Sequence, residues 1–480
     1  MTYHVIIVGG GMAGLAAAHT LTHLGRKVAI LEASPQLGGR AFHLTQDKSL
    51  ASRIGALSIQ SKESQSINPL QGLLQRHRIK TKALTALNSE TFDTQGNKVS
   101  LSELHASLDP EYHKALMRIQ DAKRQQRKTF PSLSEILNFD EIKGLAVAKT
   151  DSPAYWARKF ITATITQHTG APLHEVSLLE LMQDELGNAE DSAIIGGSYK
   201  LIEALLKEAE ATGNLTLQIN TKVMKVQQTK DKTRETESSA REKPENSMKP
   251  ENLVVVFDQA GNRYEANAVI IAVPFSVLKK GVIQFIPELS VAKQTALNHF
   301  GVAAYNSVAL EFESVFWDET VDYLFPNGPD IEDWPQYLNA SHCLKDKKPL
   351  LIAQFSGERA RFGNKPDAVI IEEALAPLKR VYGDAVTPLK SYHISRFDVD
   401  PNILGGSLYC SKKNSSEDFA ALCKSENACY FAGDYTYAKR HGRLESAFES
   451  GLQSGLEVDV YLAYLEELEL LRKETRRPKR

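Results

Sequence analysis

The chain has 480 residues, 42% of them apolar and 24% charged, with a formal net charge of −2. That length suggests roughly two to four domains with ample core, and the near-neutral balance gives no global reason to expect nucleic acid or a membrane as partner. No apolar run approaches the ~20 residues of a membrane span, and Cys343, Cys410, Cys423 and Cys429 form no CxxC, so neither a metal site nor a disulfide framework is expected. A strand pattern begins within four residues of Met1, so no signal peptide is expected either. The reading is a cytoplasmic protein with reduced thiols.

In chain order, His4 to Val8 is an apolar run that reads as a strand buried on both faces. Gly9-Gly10-Gly11-Met12-Ala13-Gly14 follows as a GxGxxG, and a helical pattern continues through Leu15, Ala18 and Leu21. A second apolar run, Val28 to Leu31, ends on Glu32, 18 residues past Gly14. Each part of this unit has a physical role at a dinucleotide. Gly9 allows the tight turn, Gly11 lets the backbone approach a pyrophosphate, and Gly14 lets the helix pack close to the strand. Met12 and Ala13 open a helix whose free N–H groups and positive dipole end face phosphates. Glu32 can accept hydrogen bonds from a ribose diol. On this stretch alone, a nicotinamide dinucleotide and a flavin dinucleotide both remain open.

Gly38-Gly39-Arg40 and Gly55-Ala56 come next. Two glycines ahead of an arginine suit backbone pressed against a bound phosphate; a surface ion pair is the plainer role for Arg40. Residues ~70 to ~190 read as mainly helical from their 3.6-residue periodicity, with Tyr155, Trp156 and Phe160 as core. Gly196-Gly197 leads into a helix from Leu201 to Ala209, and Leu215 to Ile219 and Val223 to Val226 read as strands. Residues 228–252 are charged and polar, contain Pro244 and Pro250 and lack aromatics, the composition of a flexible insertion between hairpin strands. Leu253 to Phe257 and Arg263 to Ala266 continue the hairpin, and Val269 to Pro274 is another buried strand. Residues ~276 to ~395 mix helix and strand.

Cys429 to Asp434 is a buried strand ending in Gly433-Asp434, and a helix follows from Gly442 through Arg443 and Leu444 to Gly451. This second strand–loop–helix junction suits a second contact with the same cofactor. The end of the chain is helical from Val458 to Leu471, then carries six basic residues in its last nine. They suit either a solvated, frayed tail or contact with an anionic surface.

The ordered set resembles the flavin-containing amine oxidoreductases: monoamine oxidases, polyamine oxidases and lysine-specific histone demethylases. It comprises the GxGxxG with Glu32, Gly38-Gly39-Arg40, Gly55-Ala56 with Asn68-Pro69-Leu70, and Gly196-Gly197. Val269 to Leu278, Phe285 to Leu289, Phe316-Trp317, Asp400-Pro401 with Gly405-Gly406-Ser407, and Phe431 to Asp434 with Glu445 to Gly451 complete it. The resemblance implies an α/β fold with a discontinuous Rossmann-like FAD/NAD(P)-binding domain (1–75, 190–275 and 395–460) and a mixed α+β substrate domain (76–189 and 276–394). Residues 228–252 would be an insertion and 461–480 a helical basic tail. It implies FAD, with Gly9 to Gly14 at the pyrophosphate, Glu32 at the adenosine ribose, and Arg40, Gly55 and Ala56 along the cofactor. Val223 would contact the adenine side through its backbone, Asp434 the ribityl and phosphates, and Arg443 and Leu444 the flavin ring. Ser34 stands where many relatives have arginine.

Three positions at the flavin ring differ from the amine-oxidising pattern. The lysine that holds a water near N5 is replaced: counting back from Phe316-Trp317, Ser307 falls there, and no lysine lies between Lys293 and Trp317. The cysteine that monoamine oxidases bond to flavin is Ser407, so FAD is expected to be non-covalent. The aromatic cage has Leu408 on one side and Arg443 where the other aromatic often stands. The leading expectation is an enzyme that oxidises a C–N bond of a small amine or amino acid by hydride transfer to flavin N5. Two others remain beside it: a dehydrogenase or desaturase of an apolar or anionic molecule with a non-oxygen acceptor, and a catalytically decayed flavoprotein that acts as a binding partner.

Overall fold

The computed structural model describes residues 2–41, 50, 54–62, 68–107, 109–125, 130–138, 152–183, 190–228, 254–330, 334–345 and 347–475. Most of the 228–252 insertion and the last five residues of the basic tail lie outside the described residues.

The apolar runs of the sequence become the strands of an eight-stranded sheet. Its centre is parallel. In spatial order run Leu215–Gln218, Val28–Leu31, Thr2–Val8, Arg263–Ile271 and Cys429–Phe431. Numbered along the chain this is 3-2-1-4-5, so the winding direction reverses between Thr2–Val8 and Arg263–Ile271. Such a reversal opens a crevice at the carboxyl ends of the strands. The register is held by burial on both faces: Ile6 and Val269 point into one core cluster, Ile7 and Ile270 into the other. Arg263–Ile271 is one strand where the sequence suggested two, because its first half pairs antiparallel with Val254–Asp258 while its last half pairs with Cys429–Phe431. Val223–Gln228 and Gln284–Ile286 extend that side. Gln284–Ile286 lies in a span the sequence reading placed in the substrate domain.

A second, seven-stranded sheet runs Leu389–Ile394, Tyr305–Phe312, Leu350–Ser356, Gln336–Asn339, Tyr323–Pro326, Ser89–Phe92 and Lys98–Val99. Alternation along Tyr305–Phe312 sends Val308, Leu310 and Phe312 into a core under the helix Asp367–Tyr382, and Ala309 to the opposite face. Ser307 lies on that opposite face, directly across from Gln354, which is in turn across from Gln336. Ser58–Lys62, Glu190–Ile194 and Thr81–Ala83 form a third small sheet between the two. The expectation of a mainly helical span from ~70 to ~190 holds among the described residues, which carry six helices there, from Gln71–Arg76 to Leu178–Gln183, but not without strands. It contains Thr81–Ala83, Ser89–Phe92 and Lys98–Val99, strands too short to show a period and held by their partners.

The final helix is also longer than its two sequence segments implied: Leu444–Thr475 is one helix of 32 residues. Gly451 and Gly455 interrupt its apolar periodicity because they face the first helix, Met12–His23. A Cβ at Gly451 would sit 2.2 Å from the Ala13 carbonyl oxygen and 2.7 Å from the Ala16 Cβ. The two helices touch backbone to backbone there, and the first helix is buried between the sheet and the last. Gly451→Val is expected to destabilise the chain by about 1–3 kcal/mol, the usual range for overpacking. A denaturant midpoint equal to that of the unmodified chain would contradict this.

Candidate functional site

The residues that follow four neighbouring parallel strands, Gly9, Glu32, Ala272 and Gly433, line one cavity of about 590 Å³. Of the residues singled out from sequence, Gly9, Gly11, Met12, Ala13, Glu32, Arg40, Gly55, Ala56, Val223, Gly433, Asp434, Arg443 and Leu444 all line it, as do Ser307 and Leu408. Gly14 does not. It lies beneath the turn, where a Cβ would be 2.0 Å from the Gly9 carbonyl oxygen. Gly9 has φ +107° and a Cβ there would meet the Ala272 carbonyl at 2.7 Å. Gly11 is the informative contrast. A Cβ on it would meet no protein atom within 4 Å, although it caps the first helix at the cavity wall. The protein leaves that space for something else.

At one end, Glu32 accepts the Gly10 N–H at 2.6 Å and the Ser34 N–H at 2.7 Å. An ionised carboxylate has about four acceptor positions, so lone pairs remain for a ribose diol. Val223 and Ser34 line the same end. Midway, Asp434 accepts from Arg40 Nη2 at 2.6 Å and from Ser407 Oγ at 2.5 Å. Arg40 thus does form an ion pair, within the cavity wall rather than on an outer surface. Gly55 packs against the Arg40 and Ala41 backbone, with room for no Cβ. Space at Gly11, a helix N-terminus and a carboxylate at a strand end fit a dinucleotide. Gly9 to Ala13 would hold its pyrophosphate and Glu32 its ribose.

The other end is polar. Ser307, Gln354 and Gln336 line the cavity as a row across the second sheet, with Gln336 Nε2 donating to Gln354 Oε1 at 2.8 Å. Leu408 belongs both to the cavity wall and to the buried core. Arg443 Nη1 lies 3.6 Å from Asp191 Oδ1, and with the Gln60 amide oxygen turned toward it that oxygen is 3.1 and 3.2 Å from the two terminal nitrogens. Burial pushes the Asp191 carboxyl up, with Arg443 opposing. Burial also pushes up Glu445, which accepts the Gln60 N–H.

A pair the sequence reading missed sits here too, His441 in the cavity wall and Glu180 behind it. Glu180, 1% exposed, takes His441 Nε2 at 2.7 Å on one oxygen and the Cys410 N–H at 2.7 Å on the other. His441 Nδ1 lies 3.2 Å from the Ala438 carbonyl. Both partners of the ring are acceptors, so its doubly protonated form satisfies both. Burial alone would push the Glu180 carboxyl up, but the His441 charge and hydrogen bond, with His168 and the Cys410 N–H, outweigh it and hold it at about 2. One carboxylate therefore ties the loop before Arg443 to the segment carrying Leu408. Asp191, His441 and Gln354 were missed because partners distant in the chain define them; the neighbourhood of His441 to Arg443 was the one available signal.

A dinucleotide cradle at a sheet reversal, faced by a polar wall from the second sheet, fits an FAD-dependent oxidoreductase. The family model "Flavin containing amine oxidoreductase" matches residues 12–454, and the chain belongs to that family. Polyamine oxidase 4 of Oryza sativa subsp. japonica is 27% identical over 469 residues, spanning 93% of this chain and 87% of the relative. Lysine-specific histone demethylase 2 of Homo sapiens is 24% identical over 484 residues, spanning 96% of this chain and 54% of the relative. The structure of putrescine oxidase bound to putrescine superposes with a TM-score of 0.71 at 18% identity, covering 96% of this chain and 99% of that one. The cofactor is FAD, held non-covalently.

Two outcomes follow from this geometry. Gly11→Ala should leave the FAD-free protein as stable as before while weakening FAD by at least about tenfold, 1.4 kcal/mol. Equal affinity by fluorescence titration would refute the cradle. Glu180 has its carboxyl lowered on folding, so its contribution to stability is present above its ordinary value near 4.5 and is lost as pH falls toward about 2. Glu180→Gln should lower the denaturant midpoint at pH 7 and flatten its decline over that acid window.

Proposed function

We propose that the chain oxidises a C–N bond of a small amine or amino acid, delivering a hydride to the flavin. The observation that carries this is the continuity of the cavity, from Glu32 at the nucleotide end to the Ser307–Gln354–Gln336 row at the other. FAD, when bound, supplies the hydride acceptor at N5 for a C–H next to the substrate nitrogen. The protein's share is positioning and water exclusion. Gly9 to Ala13 and Glu32 would fix the adenosine half. Arg443 and Leu444 would border the ring from the start of the last helix, Leu408 would supply an apolar wall, and Ser307, Gln354 and Gln336 would orient a polar substrate by neutral hydrogen bonds. Among the described residues no helix is long and apolar enough to cross a membrane, and all four cysteines are free, which supports the cytoplasm as its place.

One observation favours the second reading, a dehydrogenase with a non-oxygen acceptor. Lys222, beside Val223 at the nucleotide end, is the only lysine among the described residues that line the cavity, and Ser307 occupies the other end. At Ser307 there is no ammonium to stabilise charge developing on oxygen, and the guanidinium at that end, Arg443, stands beside Asp191 instead. Anaerobic mixing of the FAD-loaded chain with amines and amino acids should bleach the flavin absorbance; if no compound does so, the C–N reading fails. Reoxidation should be slow with dissolved oxygen and faster with a quinone. Ser307→Lys should speed the oxygen step by at least about tenfold, 1.4 kcal/mol of barrier, and an unchanged rate would remove that position from oxygen chemistry.

A further inference from the structure

The polyamine and putrescine oxidases that this chain resembles are named for substrates with two or more amino groups and no carboxylate. A substrate with several cationic nitrogens needs several carboxylates that are not already neutralised. Four carboxylates line the cavity among the described residues: Glu32, Asp191, Asp434 and Glu445. Glu32 is committed to the Gly10 and Ser34 N–H groups at the nucleotide end. Asp434 has one oxygen on Arg40 and the other on Ser407. Glu445 is 2% exposed and accepts the Gln60 N–H. Asp191 differs from these in exposure: 41% of its side chain is open, with Ser58 Oγ donating to one oxygen at 3.3 Å and Arg443, 25% exposed, 3.6 Å from the other. A substrate at this end therefore meets one acid and one base side by side.

We infer that Asp191 and Arg443 together form a subsite for a zwitterion, Asp191 taking the ammonium and Arg443 the carboxylate of one small amino acid. This deepens the C–N reading above and rests on it for turnover, though not for binding. The spacing supports it. The 3.6 Å between the paired atoms matches the short separation of the two charged groups across one carbon, so the ligand bridges the pair without leaving either side chain unmatched. A guanidinium offers the planar fork that fits a carboxylate bidentately. The Gln60 amide oxygen, turned toward Arg443, lies 3.1 and 3.2 Å from its two terminal nitrogens and limits how the fork can turn. A second ammonium arriving here would face Arg443 with no acid left to answer it, which disfavours putrescine and longer polyamines.

The test uses the FAD-loaded full chain under anaerobic conditions and two readouts. In the first, butyrate, which has no amine to oxidise, is titrated while the flavin spectrum is followed. Butyrate should bind and perturb the spectrum. Arg443→Gln should weaken it by about 10- to 100-fold, the scale of a lost hydrogen bond to a charged group, Arg443→Lys should recover part of that, and Asp191→Asn should tighten it. In the second, flavin reduction is followed with 2-aminobutyrate, propylamine and putrescine. Aminobutyrate should reduce the flavin at the lowest concentration, and Arg443→Gln should raise its half-saturation by at least about tenfold relative to that of propylamine, which has no carboxylate to lose. If butyrate affinity is the same in Arg443→Gln, or putrescine saturates at a lower concentration than aminobutyrate, the zwitterion subsite is overturned. If butyrate behaves as described and no amine reduces the flavin, the C–N reading falls and the carboxylate site stands.

Discussion

The closest constraint in the structure is the contact of backbone on backbone around the first turn. The Gly9 carbonyl occupies the place a Gly14 side chain would need, and the Ala13 carbonyl occupies the place a Gly451 side chain would need. Both are steric facts before they are functional ones. They bring the first helix down onto the sheet and the last helix down onto the first. Three layers then meet closely, with only the Ile7 and Ala16 side chains near these glycines besides backbone. The N-terminal end of the first helix, with its unpaired N–H groups, is aimed at the crevice as a consequence. Any bulk at these positions lifts the helix away, and the space at Gly11 loses its shape.

The rest of the site is assembled by carboxylates that each hold two segments. Asp434, after the strand Cys429–Phe431, ties Arg40 to Ser407. Glu180, on the helix Leu178–Gln183, ties His441 to the Cys410 backbone. Buried ion pairs contribute little net stability once desolvation is subtracted, but removing one partner strands the other. Their effect is on placement. Asp434 sets where the 405–408 segment meets the nucleotide-binding half, and Glu180 sets where the loop ahead of Arg443 meets that same segment. Leu408 and Arg443 stand at this end of the cavity because two acids in different elements hold their neighbours.

What was legible in the sequence follows from how local its cause is. The turn at Gly9, the acid at the end of Val28–Leu31 and the junction at Gly433-Asp434 are set by residues within a few positions, so spacing alone exposes them. Thr81–Ala83 and Lys98–Val99 exist as strands only through partners elsewhere, and no periodicity marks two or three residues. The last helix was read as two segments because Gly451 and Gly455 break its apolar pattern, and the reason they do so is the first helix, more than 400 residues earlier. At the site, Ser307, Leu408 and Arg443 were visible as departures from a pattern. Asp191, Glu180 and His441 were not, because a lone acid or histidine carries no signal until its partner is placed beside it.

That difference changes what Arg443 means. Taken by itself, an arginine at the start of the last helix is a positive charge that repels amines, and it pushes the substrate toward anions. Placed 3.6 Å from Asp191 it is half of a dipole, and a dipole does not select by net charge. It selects by the order and spacing of charges in the ligand. The row of Ser307, Gln354 and Gln336 in the same cavity is neutral, so Asp191 and Arg443 supply the charge beside it. The second sheet brings the row of Ser307, Gln354 and Gln336 to the cavity, and the small sheet that carries Asp191 brings the acid beside Arg443.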